Sequence, residues 1–183
     1  MSSVDDNKRI AHTHIEGHAE ENHDNCADDG CDQGGEWGEF IEKPTTQRAL
    51  RSLAFHLVYA VDRSDYEISL DEIANIVRKD YGVRFEDDSF ALKLAKGAID
   101  NRESLDATIE PLLTSWKINR LGCCTRLILR IAVWELLNTD TAPTVVINEA
   151  IELSKAFAEK DAFKFINGIL DNVRRVHVGD DVV

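Results

Sequence analysis

The stretch "VVINEAIELSKAFAEKDAFKFINGIL", residues 145–170, decides the fold. Its apolar residues recur every three or four positions, which is the spacing of one face of an α-helix. Pro143, just before it, fits the first turn of one helix, and Asp161 is placed to cap a second. The stretch has no glycine-rich loop, no cysteine pair and no Ser, His and Asp set. It therefore predicts two packed helices that hold a shape and present a surface.

The same helical spacing continues upstream as far as Thr45. Ser69 and Glu72 stand at capping-box spacing, at the start of a helix that ends near Gly82. The most apolar segment, "RLGCCTRLILRIAVWELL" at residues 120–137, is wide enough to be the central helix of a bundle. No run alternates apolar and polar residues over a useful length, as a strand would. We therefore predict an all-α, compact bundle of about seven helices.

The first part of the chain has a different composition. Residues 1–44 hold twelve Asp and Glu against three Lys and Arg, a net charge of −9 out of −13 for the whole chain. This segment has too few periodic apolar residues to offset the entropy of ordering it. We predict an acidic, disordered tail at residues 1–44, a helical domain at 45–178 and a short C-terminal tail at 179–183.

Several features favour a cytoplasmic protein. The apolar run "LILRIAVWELL" is shorter than the roughly 18 residues of a membrane span and is interrupted by Arg130. The first ten residues lack the apolar core of a signal peptide. The four cysteines are irregularly spaced, unlike a secreted disulfide framework.

The acidic tail holds weak candidates for metal ligands: His14, His18, Cys26 and Cys31. Imidazoles at i and i+4 with two nearby thiolates suit Zn²⁺ or Ni²⁺. The spacing fits no closed structural zinc motif, however. The alternative is a disordered tail without metal, and we expect neither a metal nor another cofactor.

The opening stretch, extended to "VVINEAIELSKAFAEKDAFKFINGILDNV", closely resembles the C-terminal signature of the NusB transcription antitermination family. Upstream, "ALRSLAFHLVYAVD", "LILRIAVWELL" and "APTVVINEA" fit further family motifs in the family's order, so the resemblance covers about residues 46–176. It implies a compact all-α RNA-binding protein without catalysis. The implied partners are boxA-type RNA, the ribosomal small-subunit protein NusE, other Nus factors and RNA polymerase. Self-association as a homodimer is also implied, since some family members dimerise.

The resemblance implies RNA contacts at the start of the first helix. Arg48 and Arg51 match an arginine-rich segment of the family, and arginine offers a fixed donor fork to phosphate. Gln47 and Ala49 stand where family members often have further basic residues. We therefore expect weak RNA binding by this protein alone and greater reliance on its partner. The alternative for the two arginines is a merely solvated face.

The last helix supplies the second part of the implied RNA surface. Asp161, Lys164 and Phe165 match positions that contact RNA or lie beside it in the family. A lysine can meet phosphate, and an exposed phenylalanine ring can stack on a base. Only one of Phe163 and Phe165 needs to point inward, and we predict that Phe165 faces out. Asp161 is a helix cap, a recognition group or both.

Arg130 lies within a highly apolar helix and needs a partner. A structural ion pair with Glu149 or Glu135 is the first interpretation, and an RNA contact is the second. The resemblance also implies a NusE-facing surface, in which Tyr59 matches a partner-contact position. Thr125 stands there where family members often have an acidic residue.

Two other functions compete with antitermination. The first is a NusB-like protein-interaction module with weak or no RNA binding, tuned by metal through the tail. The second is enzymatic, because NusB-like domains also occur fused to an RNA cytosine methyltransferase. The sequence has neither a glycine-rich cofactor loop nor a catalytic cysteine motif, so we expect no enzyme.

Overall fold

The computed structural model describes residues 43–113 and 117–178, which form seven α-helices joined by short loops and contain no strand. This confirms the predicted all-α bundle of about seven helices. Residues 1–42 of the predicted tail at 1–44, and the predicted tail at 179–183, lie outside the described residues. The helices are α1 (Gln47–Arg63), α2 (Leu70–Asp80), α3 (Phe90–Asp100), α4 (Arg102–Ile109), α5 (Cys123–Asn138), α6 (Pro143–Phe157) and α7 (Ala162–Val173), with 3₁₀ turns at Glu110–Leu112 and Ile118–Arg120 and a π-helical turn at Arg174–Val178.

Several helix ends follow local sequence signals. The Thr46 hydroxyl accepts a hydrogen bond from the backbone N–H of Ala49 and so caps α1. Ser69 and Glu72 form the predicted capping box at the start of α2. Pro143 occupies the first turn of α6, where its missing N–H removes no helical hydrogen bond. These signals are short-range, so the sequence alone can place them.

Helix α5 is the centre of the bundle, as predicted. It contacts α1, α3, α4, α6 and α7. Its side chains Leu127, Ile128, Leu129 and Val133 have no solvent exposure. Burying each such side chain stabilises the fold by about 1.5–3 kcal/mol relative to leaving it in water. Burial on every side explains why this helix is apolar around most of its circumference.

Helices α3 and α5 approach each other closely at one point. A Cβ atom added at Gly97 of α3 would lie 2.0 Å from the Trp134 ring of α5, so only glycine leaves room for the indole there. On the other side of the bundle, α6 contacts α1, α5 and α7. That arrangement brings the start of α1 and the start of α7 against α6, where the candidate site lies.

Candidate nucleic-acid interface

Arg48 is an exposed arginine at the start of α1. Its Nε lies 3.2 and 3.1 Å from the two carboxylate oxygens of Glu149 on α6, and its Nη2 lies 2.8 Å from Glu149 Oε1. The Arg48 side chain is nevertheless 65% exposed. The hydrogen bond to Glu149, followed by that residue's charge, raises the pKa of Arg48. Helix α6 therefore orients a guanidinium that still faces solvent.

Arg51, one turn further along α1, lies inside the bundle. The residue is 4% exposed, and its Nε donates to Glu135 Oε2 of α5 at 3.0 Å. Its guanidinium also lies over the Phe90 ring, 5.3 Å from the centroid. This corrects the expectation that Arg51 presents its guanidinium to RNA beside Arg48. A buried arginine must keep its carboxylate partner, so Arg51 stabilises the contact between α1 and α5.

The exposed side of α6 continues the charge pattern that Arg48 begins. Glu152 lies one turn after Glu149, and its carboxylate pairs with Lys155 Nζ at 2.8 Å. The side chains of Lys155 and Glu152 are 50% and 45% exposed. The lysine hydrogen bond and charge, with a smaller contribution from Arg48, lower the pKa of Glu152. Acidic and basic groups therefore alternate along one side of the helix.

Asp161 stands at the N-cap position of α7 but does not cap it with its side chain. Its backbone φ is 68°, and no cap hydrogen bond forms from its carboxylate. That carboxylate pairs instead with Lys164 Nζ at 2.8 Å. The left-handed backbone conformation directs the Asp161 side chain away from the first backbone N–H groups of α7, whose hydrogen bonds a capping carboxylate would accept. The capping expectation for Asp161 was therefore wrong, and its neighbour Lys164 is a paired but exposed cation.

The two phenylalanines of α7 are both half-buried, and they differ in what they contact. Phe165 packs against the hydrophobic core, whereas Phe163 is half-buried outside that set. The ring centroid of Phe163 lies 5.8 Å from Lys155 Nζ and 5.6 Å from Lys164 Nζ. Phe163, which the sequence interpretation turned inward, is the aromatic ring beside the exposed cations.

We call this surface the charged rim: Arg48, Glu149, Glu152, Lys155, Asp161, Phe163 and Lys164. Arg48 contacts Glu149, and a second series of contacts joins Glu152, Lys155, Phe163, Lys164 and Asp161. The charges of Arg48 and Glu152 influence each other across the gap between the two groups. Guanidinium, ammonium and aromatic groups together are those that bind phosphates and unpaired bases. Each cation of the rim also has a carboxylate partner within the rim.

Arg130 of α5 makes the structural ion pair that was predicted, but with other partners. Its Nε and Nη2 each lie 2.7 Å from one oxygen of Asp106 on α4. Its Nη1 donates to the Tyr66 hydroxyl at 3.1 Å and lies 3.7 Å from Asp62 Oδ1. Arg130 is only 8% exposed. Neither Glu149 nor Glu135 is its partner, and its guanidinium is used inside the fold and not on an RNA-facing surface.

The two residues predicted to face NusE differ in their exposure. Tyr59 is half-buried on α1, with its ring 6.1 Å from that of Phe55. Thr125 is 4% exposed, and its hydroxyl donates to Glu159 Oε2 at 2.6 Å. The expectation that Thr125 lies on a contact surface is thus corrected. Glu159, from the α6–α7 loop, supplies an exposed carboxylate above the start of α5.

Glu159 reaches α5 because the helix starts at a glycine. A Cβ atom at Gly122 would lie 1.4 Å from Glu159 Oε1. A carboxylate near a helix N-terminus is favoured by the partial positive charge of the unpaired N–H groups. No local sequence pattern indicates this contact, because it joins a loop to a helix start far apart in the chain.

Cys123 lies beside the partly buried carboxylate of Asp62 at the same end of α5. Its thiol donates to Asp62 Oδ2 at 3.4 Å, and Asp62 also accepts a hydrogen bond from the Tyr66 hydroxyl at 2.8 Å. Burial, followed by the charge and hydrogen bond of Asp62, raises the pKa of the Cys123 thiol to about 12. Cys123 and Cys124 are both thiols.

We expect Cys123 to be unreactive in the folded protein at pH 8. The thiolate is the nucleophile, so this pKa lowers its alkylation rate on the order of a thousandfold relative to an ordinary cysteine thiol. The rate should rise with pH throughout the range above 8. Iodoacetamide labelling followed by peptide mapping measures this, with urea-unfolded protein as the control. Equal labelling rates in folded and unfolded protein would contradict the expectation.

The weak metal candidates His14, His18, Cys26 and Cys31 lie outside the described residues. Within residues 43–113 and 117–178, no group of three or more His, Cys, Asp or Glu side chains could hold a metal ion. In the same part of the chain, no helix has both the length and the apolar character needed to cross a bilayer.

These features define a small all-α protein that carries paired charges and an accessible aromatic ring on one rim. The chain belongs to the NusB family, whose family model matches residues 48–175. The transcription antitermination protein NusB of Staphylococcus carnosus (strain TM300) is 39% identical over 129 residues, which cover 70% of this chain and 98% of that protein. Its counterpart in Staphylococcus aureus (strain N315) is 37% identical over 131 residues, covering 71% and 99%.

Solved structures of the same fold agree with this assignment. NusB of T. maritima has a TM-score of 0.65 at 29% identity, over 73% of this chain and 93% of that one. A structure of antitermination factors NusB and NusE in complex with dsRNA has a TM-score of 0.61 at 30% identity, over 70% of this chain and 95% of that one. The NusB-like bundle predicted from the sequence is therefore confirmed.

Proposed function

We propose that this protein is a transcription antitermination factor that binds boxA-type RNA together with NusE. In this role it joins the other Nus factors on RNA polymerase during transcription of ribosomal RNA. The names of its relatives and the NusB–NusE–dsRNA structure support the proposal. The observation that carries it is the charged rim, where Arg48 is exposed beside Glu149, and Lys155 and Lys164 lie beside the half-buried Phe163 ring.

The rim acts by binding and not by catalysis. The Arg48 guanidinium offers a planar fork to one phosphate, and the two lysine ammonium groups meet others along the same strand. Each of these cations must exchange a carboxylate for a phosphate when RNA binds. The protein alone therefore binds RNA weakly, and NusE adds a second set of contacts to the same RNA. We place this activity in the cytoplasm, where transcripts are made.

Fluorescence anisotropy of a labelled boxA-type RNA tests the proposal. The full chain is titrated with and without purified NusE, at two salt concentrations. We expect tighter binding with NusE, weakened by added salt, because phosphate contacts release counterions.

Arg48→Ala should weaken binding. Lys96→Ala is the matched control, since Lys96 is an exposed, carboxylate-paired cation on α3, 71% exposed. Retained NusE binding with no RNA binding at either salt concentration would leave only a protein-interaction role.

Removing the carboxylate that holds Arg48 is expected to strengthen RNA binding. Glu149→Gln removes both a competitor for the guanidinium and a negative charge beside the phosphates. The Kd should fall about two- to fivefold at low salt, the size expected for an exposed ion pair. The same titration measures it, with Asp100→Asn, which releases Lys96, as the control. If Glu149→Gln instead binds RNA more weakly, the orientation that Glu149 gives to Arg48 contributes more to RNA binding than the release of Arg48 does.

A further inference from the structure

We propose that residues 36–42, which lead into α1, dock on one end of the helical bundle. Docking there holds the acidic tail beside Arg48, where the tail competes with RNA. The docking stands on the described surface and on the sequence, whereas the competition rests on the proposed RNA-binding function.

The start of α1 lies at the end of the bundle where α5 finishes and α6 begins. Arg51, in the second turn of α1, pairs with Glu135 in the last turn of α5. Arg48 pairs with Glu149 of α6, and a stacked pair of rings joins α1 and α6 further along both helices. The two helices therefore run in the same direction. Val145, one turn before Glu149, is level with the residues that lead into α1.

The turn that follows α7 reaches the same end of the bundle. Glu159, just before α7, contacts Thr125 in the first turn of α5, so the two helices start level with each other. Helix α7 is about 18 Å long by its rise per residue. The π-helical turn Arg174–Val178 follows it and contacts α5 again. This turn therefore lies level with the last turns of α5.

Exposed apolar side chains gather at this end. We call them the end patch: Leu137 of α5, Val145 of α6 and Val176 of the π-helical turn. These residues are 39%, 44% and 67% exposed, and they are three of the six large apolar residues that are exposed in the described part of the chain. Single exposed apolar residues are normal, but several at one place indicate a surface that another segment covers.

The segment ahead of α1 has the side chains to cover the end patch. Trp37 and Phe40 are the only Phe, Tyr or Trp among residues 1–44, and Ile41 follows directly. Their spacing of i, i+3 and i+4 suits one side of a helical turn. The rest of the acidic tail has no comparable group of large apolar residues, so the occupant is this segment.

The segment is attached at the right place to reach the patch. Residues 36–42 join α1 through Lys43 and Pro44, and Pro44 is already half-buried on the surface of the bundle. Even a fully extended chain keeps Trp37 within roughly 25 Å of Pro44. A tether this short gives an effective concentration in the millimolar range, so a modest apolar contact is enough for docking.

The charges of the segment complement those beside the end patch. Glu36, Glu39 and Glu42 alternate with the apolar residues of the segment. Arg175, next to Val176, is exposed, and its Nη2 donates to the neutral amide oxygen of Asn172 at 2.6 Å. Its charge can therefore take a glutamate of the docked segment. Arg48, one turn into α1, is close enough to meet the negative charge of the tail, which the proposed function directs to RNA phosphate.

Limited proteolysis of the full chain with a glutamate-specific protease tests the docking. Val145→Asp puts a charge into the end patch and should speed cleavage after Glu36, Glu39 and Glu42 on the order of tenfold, because cleavage follows the undocked population. Ile68→Asp is the matched control. Ile68 is 39% exposed and lies beyond the opposite end of α1, so its replacement should leave these rates unchanged. Circular dichroism verifies that both variants are folded.

Fluorescence anisotropy with a boxA-type RNA and NusE tests the competition. The full chain with Trp37→Ser and Phe40→Ser keeps its net charge but loses the apolar anchors. This variant should bind RNA with a Kd about three- to tenfold lower than that of the wild type at low salt. High salt should reduce the difference, because it screens the charge of the tail.

Each part of the proposal has its own contrary result. Equal cleavage rates in wild type and Val145→Asp overturn the docking. Protection that grows with protein concentration also overturns it, because a second copy of the chain then covers the end patch. Slow cleavage in the wild type with unchanged RNA affinity in the double variant overturns the competition alone. If the wild type binds no RNA even with NusE, the proposed function fails, and the protease rates still decide the docking.

Discussion

Glu135→Gln is expected to lower the free energy of unfolding by about 3–5 kcal/mol, the cost of breaking a buried ion pair by removing one partner. The side chains of Arg51 and Glu135 are 5% and 1% exposed. The neutral amide leaves the Arg51 guanidinium charged, in a place that water does not reach. Urea unfolding followed by circular dichroism measures the change.

Two variants show whether the loss comes from the unpaired charge. Asp100→Asn breaks the ion pair between Asp100 and Lys96, whose side chains are 51% and 71% exposed, respectively. This exposed pair should change the free energy of unfolding far less than the buried pair does. The double replacement Arg51→Met with Glu135→Leu removes both charges and fills their space. It should recover most of the stability lost in Glu135→Gln, because buried ion pairs are often no better than apolar residues of similar volume. If the double variant is no more stable than Glu135→Gln, the loss has another origin.

Asp106→Asn is expected to lower the free energy of unfolding by about 2–3 kcal/mol, the range for hydrogen bonds to a charged group. It removes the charge that faces Arg130 through two contacts of 2.7 Å. The loss is smaller than for Glu135 because Asp62 and Tyr66 still contact Arg130. The same urea unfolding measures it.

RNA affinity separates the two interpretations of Arg130. If its role is structural, folded Asp106→Asn protein binds RNA as the wild type does. Asp62, a partner of Arg130, lies near the end of α1, roughly 20 Å from Arg48 by the rise of the helix. A specific loss of RNA affinity in a well-folded Asp106→Asn variant would support the interpretation of Arg130 as an RNA contact.

The sequence predicts this fold well because the deciding signals are local. The capping box of Ser69, the proline of α6 and the apolar residues of α5 each act within one helix. The position of Arg51 was also open to sequence reasoning, since it shares a helical face with Ala54 and Val58, both buried. The resemblance to a family with an arginine-rich RNA surface led instead to the prediction that Arg51 contacts RNA.

Other features depend on contacts that no local pattern specifies. Arg51 meets Glu135 across 84 positions, and Thr125 meets Glu159 across 34. Phe163 and Phe165 lie at the two edges of the apolar face of α7, so periodicity alone cannot decide which of these half-buried rings packs against the core. The packing of α7 against α5 and α6 decides it.

The pairing within the charged rim has a consequence for how RNA is found. Three cations, Arg48, Lys155 and Lys164, face three carboxylates, so the formal charges of the rim cancel. A surface with no net charge exerts little attraction on a polyanion beyond about 8–10 Å, the screening distance of physiological salt. On the proposed function, we therefore expect that the rim does not draw unrelated transcripts in from solution. On the proposed function, we expect the rim to discriminate at contact, when a strand of suitable shape displaces the carboxylates one by one.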